Sequence, residues 1–193
     1  MGTAPTPTPT ANTPGPHEGP TPGPDATGKP QDPKIPQFGK DAVLDHYSGN
    51  AGVAILATET FVNAKWDRGE LTIEVAPDAI VAMCEAVKED GYNFFEDLTA
   101  VDWYPQEPRI QLSYAILSHA LKARLRIAVR LDSADLNIST ITSVWPAANF
   151  YEREVFDLFG VNFAGHPRLT RIMMPDNWEG HPLRKDYPVE GYR

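Results

Sequence analysis

Residues 109–132 read RIQLSYAILSHALKARLRIAVRLD, and the alternation in this stretch decides the fold. In the second half, Leu121, Ala123, Leu125, Ile127, Val129 and Leu131 alternate with Lys122, Arg124, Arg126, Ala128 and Arg130. A period of two puts one set in a core and the other on the opposite face of a strand. The first half, RIQLSYAILS, is a second strand, and the break at Ser118-His119-Ala120 is the turn between them. The basic ladder is either a solvated face or a surface for an acidic partner, and solvation is the plainer reading.

Upstream, GELTIEVA (69–76) alternates in the same way, with Leu71, Ile73 and Val75 on one face. Pro77 then opens a helix, with Asp78 near the positive end of its dipole. Ile80, Val81, Cys84 and Val87 form the expected apolar stripe, and Gly91 ends it. Cys84 therefore reads as a small buried hydrophobe. Residues 39–47, GKDAVLDHY, predict a short helix with Val43, Leu44 and Tyr47 on one side. GVAILATETFVNA (52–64) has the β-branched density of a strand. YNFFEDLTAVDWYP (92–105) leads into the strand pair. The expected fold is α+β, a largely antiparallel sheet with helices on one side, followed by a helix and an extended C-terminal segment.

The chain has 193 residues, and eleven of its 19 prolines fall in residues 1–36. That stretch of Thr-Pro and Gly-Pro repeats has Ile35 as its only large aliphatic besides Met1. It cannot bury enough surface to offset its ordering entropy, so a disordered tail is expected there. The expected division is a tail over 1–36, an α+β domain over 37–144 and a partner-binding segment over 145–193. Deleting residues 1–36 should leave thermal unfolding unchanged within error; a loss of several degrees would show that the tail docks.

Charge and cysteine count exclude several functions. With 17 basic and 26 acidic residues, the average field disfavours nucleic acid. One cysteine can neither close an internal disulfide nor supply the sets that iron–sulfur clusters need. Neither a G-x-G-x-x-G turn nor a Walker lysine loop occurs. No run of about 18 apolar residues predicts a membrane span, and no secretory signal pattern opens the chain, which leaves the cytoplasm as the default compartment.

The chemical information lies in VWPAANFYEREVFDLFGVNFAGHPRLTRIMMPDNWEGHPLRKDYPVEGYR (144–193). Trp145-Pro146 predicts a helix start and Gly160 its end. At about 100° per residue, Glu154 falls between Phe150 and Leu158, and Glu152 between Phe159 and Phe156. Asn149, Arg153 and Asp157 share the one polar wedge. Two carboxylates thus sit in apolar faces, and each must be paired, protonated or covered by another chain. Pairing with a following arginine is the favoured reading, with Glu154 the expected buried acid. A free-standing hydrolase using Glu152 and Glu154 is disfavoured, because residues two apart on a helix point about 200° from each other. Beyond Gly160 the periodicity stops. Arg168, Arg171, Arg184, Lys185, Trp178 and Tyr187 give this segment an interface-like composition. His166 and His181 read as hydrogen-bonded turn residues rather than metal ligands.

Glu152-Arg153-Glu154, followed by Asp157-Leu158-Phe159-Gly160, resembles the signature of the C-type subunit of respiratory NADH–quinone oxidoreductase (complex I), the cluster-free member of its peripheral arm. Gly165-His166-Pro167 and the run Trp178 to Pro188 (WEGHPLRKDYP) continue the match. Thr170 and Asn177 stand where that family often carries charges. The resemblance implies an α+β subunit of the peripheral arm, on the cytoplasmic side of the bacterial inner membrane. It implies packing on the large D-type subunit beside the quinone site, among other peripheral-arm subunits, with no nucleic-acid partner and no membrane span. The complex uses FMN, iron–sulfur clusters, NADH and quinone, and pumps protons; the C-type subunit is implied to hold no cofactor, metal or catalytic residue. The signature and interface positions are Glu152, Arg153, Glu154, Asp157, Gly160, His166, Arg168, Arg171, Trp178, His181, Arg184, Lys185, Asp186 and Tyr187. Of these, Arg184 is the expected charge-assisted anchor to the partner. The equivalent subunit of a related membrane-bound hydrogenase complex is the alternative.

Overall fold

The strand pair that the alternation predicts is the centre of the sheet. In a computed structural model, which describes residues 36–49 and 61–190, β5 (Ile110–Ser118) and β6 (Ala123–Leu131) run antiparallel with Tyr114 opposite Ile127. The turn between them uses a left-handed Lys122, φ 51°, and the Ser118 hydroxyl accepts the Leu121 N–H at 3.1 Å. Around this pair stand β1 (Gln37–Phe38), β2 (Phe61–Asp67), β3 (Glu70–Val75) and β4 (Phe94–Asp102). The order is β1-β2-β3-β6-β5-β4. Every pairing is antiparallel except β3 with β6, and that parallel contact is bridged by a helix, as such crossovers require.

That helix, α2 (Ile80–Glu89), follows a 3₁₀ turn at Pro77–Ala79. Its buried stripe is Ile80, Met83, Cys84 and Val87, the i, i+3, i+4, i+7 set. Met83 takes the place expected for Val81, which is only half-buried. Gly91, at φ 91°, stops the helix as expected. In α1 (Lys40–His46) Ala42 and Val43 are buried but Leu44, one step further round the helix, faces outward. The strand expected over 52–64 is seen from Phe61 and runs on to Asp67, while 52–60 and the tail lie outside the described residues.

The basic ladder of β6 meets acids of this chain. Arg124 pairs with Glu96 at 3.4 Å, Arg126 with Glu70 at 2.7 Å and Arg130 with Glu74 at 3.2 Å. These are open to water and worth at most about 1 kcal/mol each.

A last helix, α3 (Ala148–Phe159), packs on β4, and a short parallel pair, β7 (Asn137–Ser139) with β8 (Asn162–Ala164), flanks it. Trp145, Ala148, Val155, Leu158, Phe159 and Phe163 join the same core as Leu71, Ile73, Tyr114 and Ile127. One core therefore runs across residue 144. Among the described residues no helix is long and apolar enough to cross a membrane.

Candidate subunit interface

An α-helix ends with four carbonyls that have no partner inside it. In α3 these are satisfied almost entirely by the segment that follows, a strap running from Gly165 to Glu190. Gly160 N–H caps Phe156 O at 2.9 Å. Arg171 Nη1 donates to Asp157 O at 3.2 Å and His181 Nδ1 to the same oxygen at 2.9 Å. Leu183 N–H reaches Leu158 O at 3.1 Å, and Arg184 Nε reaches Phe159 O at 2.6 Å. The two arginines thus place positive charge at the negative end of the helix dipole. Gly160 sits at φ 77° with a Cβ position only 2.6 Å from the His181 ring and 2.8 Å from Arg184 Nη2. Only glycine fits there.

Asp157 fastens the middle of the strap. Its carboxylate is fully buried. One oxygen accepts Arg171 Nη1 at 2.5 Å. The other accepts three successive backbone N–H groups, Ile172 at 3.0 Å and Met173 and Met174 at 2.8 Å each. Burial by itself would raise its pKa, but the Met174 N–H, Arg171 and the Ile172 and Met173 N–H groups together hold it below the usual carboxylate range. Arg153 adds two bonds from the side, to Thr170 O at 3.0 Å and Arg171 O at 3.1 Å.

The far end of the strap is fastened to the sheet. Arg109 donates to both oxygens of Asp102, each at 2.8 Å, and to both of Asp186 at 2.7 and 2.8 Å. Asp102 also accepts the Tyr104 N–H at 2.9 Å and the Lys185 N–H at 2.8 Å. Arg109, foremost, pulls the Asp102 carboxyl far below its usual range against the opposing effect of burial. Sequence reasoning alone passes over this pair. A signal exists: Leu98, Ala100 and Asp102 share the buried face of β4, so Asp102 is an acid at a core register.

The helical wheel misplaces one acid. Glu154 is exposed, and Glu152 is the buried one, at 0% exposure. Phe150 stands outward with Glu154, 61% exposed. The helix is apolar around most of its circumference, so packing against β4, not the wheel, chose the side that went in. The expected arginine partner is found for neither Glu152 nor Glu154 among the described residues; the acid of α3 that does pair with an arginine is Asp157. Glu152 instead accepts the Ile141 N–H at 2.8 Å and shares a 2.5 Å hydrogen bond with Thr140 Oγ1. His166 and His181 both have hydrogen-bond partners: Asn149 O and the Arg168 N–H for the first, Asp157 O for the second. Among the described residues no group of three or more His, Cys, Asp or Glu stands together as a metal site.

What the strap turns outward is apolar, with charges of both signs around it, Asp176, Glu179 and Asp186 among them. Met173 is 57% exposed and Leu183 52%, with Ile172 and Trp178 also standing out and Arg168 and Lys185 beside them. Phe150 of α3 is exposed as well. Such side chains on a rigid backing are what a partner's surface recognises.

Two solved structures share the architecture. The trypsin-resistant fragment (1–134) of Nqo5 is 31% identical, with TM-score 0.50, over 52% of this chain and 83% of that one. A chain of a membrane-bound sulfane sulfur reductase, an archaeal respiratory membrane complex, is also 31% identical, with TM-score 0.57, over 62% and 72%. The class is that of α+β chains of this fold, and the family is narrower. The model of the respiratory-chain NADH dehydrogenase 30 kDa subunit matches residues 73–193, and the chain belongs to that family. The C-type NADH-quinone oxidoreductase subunit of Citrifermentans bemidjiense is 42% identical over 147 residues, 74% of this chain and 91% of that one. Its counterpart in Geobacter sulfurreducens is 49% identical over 126 residues, 64% and 78% respectively.

Proposed function

We propose that this chain is a non-catalytic peripheral-arm subunit of a proton-translocating NADH–quinone oxidoreductase. It packs on the large D-type subunit beside the quinone site and supports electron transfer carried by FMN and iron–sulfur clusters in other subunits. On this reading it lies on the cytoplasmic side of the bacterial inner membrane. The single observation that carries the reading is the strap, fastened beneath by buried charges while Ile172, Met173, Trp178 and Leu183 face outward. The signature residues Arg153, Asp157, Gly160, Arg171, His181 and Arg184 build that backing, and Arg168, Trp178, Lys185 and Tyr187 line the strap they hold. The similarity to the sulfane sulfur reductase chain supports a second reading, the equivalent subunit of a related membrane complex such as a hydrogenase.

Arg184 is a poor probe of the interface, because its Nε already serves Phe159 O in this chain. Met173→Asp and Leu183→Asp are better ones, since both side chains point away from the core. Recovery of the D-type subunit, flavin and clusters with the tagged chain should fall at least about tenfold for each, the effect of about 1.4 kcal/mol lost at an interface. Thermal unfolding of the isolated variants should not move. Undiminished recovery would place the interface elsewhere, and copurification of a hydrogenase large subunit would select the second reading.

A further inference from the structure

Glu152 is a buried acid that the docking role does not use. No lysine or arginine of the described residues lies within 4.0 Å of it; the nearest group able to carry a positive charge is His166, at 3.9 Å. His166 Nδ1 accepts the Arg168 N–H at 3.0 Å. Its Nε2 is engaged with Asn149 O at 3.2 Å, so the ring makes no hydrogen bond to Glu152. The other titratable groups facing Glu152 are Cys84 of α2 and Tyr114 of β5. On the same side, Lys88 of α2 spends its charge on Val144 O. On α3 itself, Arg153 and Asp157 are engaged with the strap and Glu154 faces water. A carboxylate enclosed this way lacks a counter-charge, which favours the neutral acid.

The acid is also connected to solvent. Thr140 Oγ1 lies 2.5 Å from Glu152 Oε2 and 3.0 Å from Thr142 Oγ1, and Thr142 is half-exposed. We propose that Glu152 is a reversible proton-binding site, loaded and emptied through the Thr140–Thr142 hydroxyl chain, and that its charge state sets how firmly α3 holds the turn at Thr140–Thr142. When loaded, the Glu152 O–H donates to Thr140, Thr140 to Thr142, and Thr142 to water. On release the acid's proton passes to Thr140, Thr140 gives its own to Thr142, and Thr142 gives one to water. A carboxylate and a hydronium ion result, and the hydroxyl bonds now run toward Glu152. The Ile141 N–H serves both states.

Burial foremost, opposed by the Thr140 and Ile141 bonds, raises the Glu152 pKa from 4.5 to about 7. The folded state then holds more protons than the unfolded one between these values, so stability falls as pH rises through them and is flat above. The full effect is roughly 300-fold in the folding equilibrium constant.

The test is a carboxyl-13C titration of the full chain, glutamate-labelled, beside denaturant melts of the wild type and Glu152→Gln at pH 5 and 8. One glutamate resonance, missing in Glu152→Gln, should titrate near neutrality. The stability of Glu152→Gln relative to wild type should rise by about two orders of magnitude in equilibrium constant from pH 5 to 8. A Glu152 resonance titrating with the exposed glutamates, or a difference that does not change with pH, overturns the proposal. If Glu152→Gln does not fold, the wild-type titration decides alone: a glutamate with a neutral midpoint upholds it, and none overturns it.

Discussion

Asp157→Ala should remove about 3–5 kcal/mol of stability, the range for breaking a buried ion pair and leaving its partner uncompensated. The substitution strands the Arg171 guanidinium and the N–H groups of Ile172, Met173 and Met174 at once. Domains of this size are stable by about 5–15 kcal/mol, so the variant should be marginal. Urea melts give the energy, and hydrogen exchange of the three amides reports the strap directly. Their protection should collapse well before that of β5 and β6. Asp157→Asn should recover part of the loss, because one amide oxygen can still accept the three N–H groups while its NH₂ faces Arg171 unfavourably. A loss under about 1 kcal/mol for the alanine variant would mean that solvent, not this carboxylate, satisfies the strap.

Arg109→Met is expected to come next, at about 3 kcal/mol. It leaves Asp102 buried with only the Tyr104 and Lys185 N–H groups and frees Asp186 to water. The pH response separates this from simple loss of packing. In the wild type the Asp102 pKa lies below its ordinary 3.8, chiefly through Arg109. Its contribution is therefore present above pH 3.8 and is lost as pH falls through the folded value. Without Arg109 the carboxyl moves up, so the acid limb of the stability curve should begin at higher pH. Asp102→Asn in the same background should restore much of the loss, since the coupling is between the two side chains. An additive double variant would show that they act separately.

The sheet was legible because a strand writes its burial as a simple alternation. Leu125, Ile127 and Val129 could face only one way once Arg124, Arg126 and Arg130 stood on the other side. In α3 the pattern fails for a physical reason: apolar residues surround the helix, so the wheel has no unique inside. Glu152 and Glu154 could exchange roles until β4 picked the face. The strap was legible as composition but not as geometry. Its order comes from single carboxylates gripping distant backbone amides, as Asp157 does at Met173 and Asp102 at Lys185, and such contacts leave no periodic trace. Asp102 and Arg109 are seven positions apart on one hairpin, and only the register of β4 marks Asp102 as inward.

The capping of α3 also bears on the order in which the chain matures. A nascent polypeptide leaves the ribosome N-terminus first, and domains form as their residues emerge. The sheet and most of the core are available by Phe163. The carbonyls closing α3 must wait for Arg171, His181, Leu183 and Arg184, and Asp102 must wait for Lys185 and Asp186. Until then a helix end and a buried acid stay open to water and to cellular proteases. A product truncated before residue 184 carries that unfinished end permanently. Completeness of translation is thus written into the packing: the contacts that finish α3 and cover Asp102 exist only once the last residues of the strap have been made.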